Sequence, residues 1–292
     1  SYEVYVEQRI VPALGRIRLK DLKPLHIEKF YNDLMEAPRN DGKPGNMGST
    51  TRHYIHKVLR AMLNDAVKWE LIPRNPVKGV DSPQKKSKPA QYYDEEQLQV
   101  LLTALDAAPL KWKTLVYTSA FTGLRPGEVL GLDWDDVDFK NSILTVKENR
   151  QYINKEYGTI TKDPKNESSK RKISIPKILS DILKRHQIAQ KERKLKVGDK
   201  WIDSTKIFLN EYGAALHPSS PGHWFKKFLE DNNLPYITMH GLRHTHATIL
   251  IHETKNVRAI SGRLGHANMS TTMNIYSHVL KSSDQEASDT FD

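Results

Sequence analysis

Between Val80 and Gln91 the chain reads V-D-S-P-Q-K-K-S-K-P-A-Q, with two prolines, three lysines and almost nothing apolar. Proline removes a backbone donor and lysine keeps to water, so this stretch predicts a linker between two folding units. A length of 292 residues agrees with two domains, and 38% hydrophobic residues are enough to fill their cores. Cysteine is absent, which excludes disulfide scaffolds and thiolate metal sites. No window approaches the roughly 18 unbroken apolar residues of a membrane helix. The opening S-Y-E-V-Y-V-E-Q-R lacks the order of a secretory signal, so no membrane partner and a cytoplasmic location are expected.

The net charge of +10 attracts polyanions, and nucleic acid is the commonest such partner. The excess is uneven. Up to Lys88 there are 17 Lys+Arg against 10 Asp+Glu (+7), which leaves 28 against 25 (+3) for the rest.

In the first unit, apolar residues at Tyr54, Ile55, Val58, Leu59, Met62, Leu63, Ala66 and Val67 make a helical stripe, capped by Ser49 or Thr50 and closed before Pro73. Leu22 to Met35 and Tyr2 to Ile10 read as two more helices. On the polar face of the Ser49 to Trp69 helix stand Arg52, His53, His56, Lys57, Arg60 and Lys68, a set suited to DNA phosphates and to the major groove, with a solvated basic face as the plain alternative.

After the linker, Asp94 and Gln97 form a capping box ahead of Leu98, Leu101, Leu102 and Leu105. A second helix runs through Leu115 and Tyr117 to Thr122. From Ile143 to Ile175 the runs I-L-T-V, Q-Y-I and K-I-S-I-P change the period to that of a small antiparallel sheet. Helical patterns return over Lys177 to Lys194, His217 to Asp231 and His240 to His252. The fold class is therefore mainly α with a small antiparallel β-sheet.

Six of the twelve histidines lie between His240 and His278. His240 and His244 have the spacing of a helical metal pair, but Arg243 stands between them and would repel a cation, so no metal is expected. Arginine's planar fork suits phosphate oxygens instead. A second arginine, Arg125, lies in F-T-G-L-R-P-G-E with Glu128 three residues on and able to orient it.

These boxes resemble those of the tyrosine recombinases, the phage integrase family, and most of all the integrases of phages and conjugative transposons. The family's order is an Arg box, a β-hairpin Lys, an H-x-L-R-H box, a G-H pair and a C-terminal Tyr. This chain offers T-G-L-R-P-G-E at Arg125, D-P-K-N-E-S-S-K-R-K-I-S-I-P at Lys165, H-G-L-R-H-T at His240 and Arg243, L-G-H at His266, and T-T-M-N-I-Y-S-H at Tyr276. The match runs from Tyr92 to His278. The resemblance implies a helical core-DNA-binding domain at 1–79, a linker at 80–91, a catalytic domain at 92–281 clamping DNA with the first, and a tail at 282–292, the C-terminal segment after Tyr276 docking on a neighbouring protomer with Val279, Leu280 and Phe291 as its apolar anchors. It further implies double-stranded DNA as substrate, a homo-tetramer on two DNA sites, room for accessory DNA-bending proteins, a bacterial nucleoid setting, and an arm-binding domain in front of Ser1.

Cleaving a phosphodiester builds negative charge on the nonbridging oxygens, so fixed donors aimed at them lower the barrier. The resemblance gives that task to Arg125, Arg243 and His266, and makes Tyr276 the nucleophile that forms a 3′-phosphotyrosine. A phenol near pKa 10 needs a base, for which His240 is the candidate, and the 5′ alkoxide needs an acid, for which Lys165 resembles the family's lysine. Lys165 stands among Lys162, Lys170, Arg171 and Lys172, where solvated charge is the alternative. His244, His246 and His278 read as structural or phosphate-positioning. The ester energy stays in the covalent link, so no cofactor is expected. Two other functions share these features: relaxation of supercoils in the manner of a type IB topoisomerase, and DNA binding by a chain that has lost the reaction.

Overall fold

The computed structural model describes residues 2–39, 42, 44–85, 91–154, 158–162, 170–254, 256–266, 268–270 and 272–273. Lys165, Tyr276, His278 and the tail with Val279, Leu280 and Phe291 lie outside the described residues, as does the linker from 86 to 90. The chain divides into two compact units, Ser1–Pro89 and Ala90–Asp292.

The first unit is all helical. It opens with α1 (Tyr2–Tyr5), a π-helical turn (Val6–Ile10) and α2 (Val11–Leu14), so the first helical run continues past Pro12 and does not stop at Ile10. Proline has no N–H to give to the carbonyl one turn back, and a wide turn just before it eases its ring into the helix. The helix α3 (Pro24–Glu36) takes Pro24 in its first turn, where the missing donor costs nothing. The helix α4 (Ser49–Lys68) begins one residue earlier than a Ser49 cap requires: Gly48 is the cap, without a side-chain bond, and its carbonyl accepts from Thr51 and Arg52. Ile27, Phe30 and Leu34 of α3 pack with Ile55, Leu59 and Leu63 of α4 around one core. Tyr54 and Met62, read above as part of the apolar stripe, are exposed instead.

In the second unit Asp94 accepts from Gln97 N at 2.8 Å and Gln97 returns a bond to Asp94 N, so the capping box opens α5 (Glu95–Ala104). The helix α6 (Leu110–Thr122) is enclosed on every side over its second half. Its buried Thr114, Thr118, Ser119 and Thr122 satisfy their hydroxyls on carbonyls one turn back, which is why polar residues are tolerated there. The short α7 (Pro126–Gly131) follows, and the sheet region splits in two. Strands β1 (Val137–Asp138), β2 (Ile143–Val146) and β5 (Arg171–Ser174) form one antiparallel sheet, with Leu144 opposite Ile173 and Val146 opposite Arg171. Strands β3 (Asn149–Asn154) and β4 (Gly158–Lys162) form a separate hairpin.

Helices α8 (Lys177–Val197), α9 (Ser220–Asp231), α10 (Met239–Thr254) and α11 (Val257–Leu264) follow. The stretch His217 to Ser219 is a turn, not helix, because the His217 ring bonds Ser219 and Pro221 sits in the first turn of α9. Leu101, Leu115, Leu124, Leu144, Ile173, Phe225 and Leu242 meet in one core, each side chain worth about 1.5–3 kcal/mol of burial. Among the described residues no helix is long and apolar enough to cross a membrane.

Candidate active site

The T-G-L-R-P-G-E box is a helix stop followed by a helix start. Gly123 ends α6 with φ +64°, and a Cβ there would lie 2.6 Å from both His246 Cδ2 and Leu264 Cδ2, so neither the backbone nor the space admits a larger residue. Arg125 then caps α7 with Pro126 at its first turn. Glu128 Oε2 accepts from the Arg125 backbone N–H at 2.9 Å, and Glu128 Oε1 from Arg125 Nη1 at 2.8 Å. One carboxylate thus starts the helix and orients the arginine. Arg125 Nη2 also donates to Gly265 O at 3.2 Å.

The H-G-L-R-H-T box starts α10, where the Thr238 hydroxyl accepts from Gly241 N at 3.0 Å. Arg243 is 3% exposed and donates Nη1 to Gly123 O at 2.9 Å and Nη2 to Leu264 O at 2.8 Å. It approaches Glu128 Oε2 to 3.9 Å. Its guanidinium therefore bridges the Arg125 box and the L-G-H box, which are remote in sequence. Burial and the charge of Arg125 push its pKa down, but a guanidinium stays cationic. Glu128 is itself buried: desolvation alone would raise its carboxyl, yet the bonds and charge of Arg171 and Arg125 outweigh this and hold it below the usual range.

Three of the site histidines are held neutral. His240, exposed in the first turn of α10, is brought down to about 4 by desolvation of its ring and by His244, Arg243 and Arg125, with the His244 ring edge-on at 5.1 Å. His266 falls to about 4 through desolvation and the charges of Arg243 and Arg125, and its Nδ1 lies 2.7 Å from the Thr272 hydroxyl. His246 is structural. Its Nδ1 meets Ala120 O at 2.9 Å while Nε2 accepts from Arg263 Nε at 3.1 Å, a pairing that only the neutral ring satisfies.

Burial, then Arg263, lowers His246 to about 4, whereas the unfolded chain takes up the proton near 6.5. Between those values the unfolded state binds more protons, so this stability is fully present above pH 6.5 and lost as the pH falls toward 4. A loss of about 3 kcal/mol on reaching pH 4 is expected from this residue. Urea unfolding across that range measures it, and His246→Gln, neutral at every pH, is expected to flatten the slope.

Arg171 was a candidate for solvated charge, but its side chain is 7% exposed and its Nη2 pairs with Glu128 Oε2 at 3.0 Å. The alternation of Arg171, Ile173 and Ile175 carries the signal: a charge on the inward face of a strand needs a buried partner. Glu95, His252 and Glu253 bring ligand-type atoms together on the surface, an exposed group of a kind common without an ion.

On α4 the DNA-facing set is corrected at one position. His56 is buried, and its Nδ1 lies 2.8 Å from the Tyr31 hydroxyl, so it belongs to the core of the first unit and does not face DNA. Lys57 and Arg60 are exposed. Arg52 is half-buried with an Nε that has no hydrogen-bond partner. His53 Nδ1 is spent on Pro83 O at 3.1 Å and the Ser82 hydroxyl at 3.2 Å.

The family model for the phage integrase family matches residues 91–283, and that for the phage integrase N-terminal SAM-like domain matches residues 1–35. A tyrosine recombinase XerC-like protein of Caldanaerobacter subterraneus subsp. tengcongensis is 31% identical over 281 residues, covering 90% of this chain and 69% of that protein. The ICEBs1 integrase of Bacillus subtilis is 31% identical over 270 residues, covering 91% and 69%. Among solved structures, the Tn1549 transposon integrase in complex with transposon right end DNA has the same fold at a TM-score of 0.75 and 20% identity, covering 98% of each chain. The XerH recombinase bound to its difH substrate matches at 0.70 and 19%, covering 94% of this chain and 73% of that one. The fold is that of a recombinase of the tyrosine type. The chain belongs to the phage integrase family.

Proposed function

We propose that this chain cleaves and rejoins double-stranded DNA at specific sites through a 3′-phosphotyrosine, moving a mobile element into or out of a bacterial chromosome. The observation that carries the reading is the meeting of three separated boxes: Arg243 bonded to Gly123 and Leu264, and Arg125 to Gly265, with His240 and His266 both titrating against these two guanidiniums. Arg125 and Arg243 would hold the nonbridging oxygens of the scissile phosphate, where charge grows as phosphorus becomes five-coordinate. His266 Nδ1 lies 2.7 Å from the Thr272 hydroxyl; in the tautomer that takes the hydroxyl's proton as a hydrogen bond, the neutral ring carries its own proton on Nε2 and donates it to the same phosphate.

Tyr276 attacks phosphorus, the bond to the 5′ oxygen breaks, and Lys165 returns a proton to the leaving alkoxide. His240, neutral in the free chain, takes the phenolic proton, and the negative charge of a bound phosphate raises its basicity toward neutral pH. Ligation reverses these steps with a new 5′-hydroxyl. Lys57 and Arg60 on the exposed side of α4, with Arg52 beside them, would hold the duplex backbone. The working assembly in this reading is a homo-tetramer on two DNA sites in the cytoplasm, acting on the nucleoid with DNA-bending accessory proteins, and the residues from 282 onward dock on a neighbouring protomer.

A duplex nicked close to the cleavage position lets the severed end diffuse away and traps the intermediate. The wild-type chain is expected to yield an adduct that survives detergent, is removed by protease, and carries the DNA on its 3′-phosphate. No adduct on any nicked end of the element would leave a DNA-binding protein only. Relaxation of a plasmid lacking the site would place the chain with topoisomerases instead.

A further inference from the structure

Arg171, the first residue of β5, touches both elements that carry the site. Its Nη2 and Nη1 reach the two oxygens of Glu128 at 3.0 and 3.4 Å, and its Nε donates to Arg263 O at 2.7 Å. The same guanidinium lies under Gly265: a Cβ there would stand 2.8 Å from Arg171 Nη1, and the residue has φ +65°. Gly265 in turn gives its carbonyl to Arg125 Nη2, and the next residue is His266. The sheet fixes the arginine from behind, through the pairing of Arg171 with Val146 and of Ile173 with Leu144.

We infer that Arg171 is a positioning residue for strand cleavage: held between Glu128 and Gly265, its guanidinium fixes Arg125 and His266 relative to each other. Its Nε, Nη1 and Nη2 are each engaged, on Arg263 O and on the two oxygens of Glu128, so it acts through its two neighbours. Without Arg171, the enclosed Glu128 carboxylate would have only the Arg125 side chain in hydrogen-bond range, with Arg243 at 3.9 Å, and would compete with the phosphate for Arg125; with Arg171 on its inner side, Arg125 is oriented yet keeps N–H groups for a ligand.

This inference rests on the strand-cleavage reading above, and the experiment separates the two. Arg171→Lys keeps the charge but loses the fork, and Arg171→Met keeps only the stem. Each is assayed with the nicked duplex in single turnover at saturating DNA, together with DNA affinity and thermal unfolding. Adduct formation is expected to slow about 100-fold in both, as for a displacement of about 1 Å in a catalytic group. DNA affinity is expected to stay within about threefold, because the guanidinium is engaged on Glu128 and on Arg263 O rather than on a phosphate. Combined with Glu128→Gln, Arg171→Met is expected to be no slower than the slower single variant, as for residues acting in one unit. A rate for Arg171→Lys within threefold of wild type, a parallel fall in affinity, multiplying losses in the double variant, or unfolding of both variants would overturn the inference. Absence of an adduct in the wild type would remove the strand-cleavage reading itself.

Discussion

Tyr276→Phe is expected to abolish the covalent adduct while DNA affinity changes by less than about twofold, since a single hydroxyl at a site of this kind contributes little to binding. The chain has twelve tyrosines, and three of the buried ones are poor nucleophiles. Burial raises the phenols of Tyr31 and Tyr117 and pushes Tyr93 to about 12, so none of the three ionises readily. Their hydroxyls are also engaged: Tyr31 with His56, Tyr93 on Pro235 O and Tyr117 on Leu102 O. Tyr2 and Tyr54 stack on each other at 5.8 Å in the first unit. Tyr157 is the sharpest control, because it lies in the same sheet-region sequence as Lys165, and Tyr157→Phe is expected to leave the adduct in place. Detergent gels of the three proteins on one nicked duplex decide the matter; an adduct that persists in Tyr276→Phe and vanishes in another tyrosine variant would move the nucleophile.

Local chemistry was legible in the sequence, and long-range partnership was not. The Asp94–Gln97 box, the pairing of Arg125 with Glu128 three residues on, and the mainly helical class with short antiparallel strands all follow from spacing. His56 shows where spacing runs out. It is one residue, about 100° around the helix, from the fully buried Ile55, which puts it on the border between faces, and the Tyr31 hydroxyl on another helix decides that it turns inward. Arg171 was missed for the same reason, since its partner Glu128 lies 43 residues back. The helix α11 escaped notice because V-R-A-I-S-G-R-L mixes a glycine and a serine into its eight residues, and its start is set by Asn256 accepting from Ala259 N. The glycines of T-G-L-R and L-G-H were visible as letters, but their reason is spatial: Gly123 makes room for His246 and Leu264, and Gly265 for Arg171.

Arg243→Lys is expected to slow adduct formation about a thousandfold, the equivalent of 3–4 kcal/mol for losing one preorganised donor system in a charge-stabilising site. The structure gives the reason in two steps. Arg243 bridges Gly123 O and Leu264 O with its two Nη atoms and still has N–H groups left for a phosphate, whereas a lysine carries its three protons on one nitrogen and cannot span both carbonyls. Because the side chain is buried, a carbonyl left without its donor also costs about 1–3 kcal/mol, so the variant is expected to unfold several degrees lower. Arg125→Lys separates the two effects. The Arg125 side chain is 36% exposed, so its replacement is expected to slow cleavage on a similar scale with little change in melting temperature. Single-turnover rates beside calorimetric melting curves for the two variants make the comparison. If Arg243→Lys cleaves within tenfold of wild type, the bridge between the two boxes is structural and the phosphate is held by other groups.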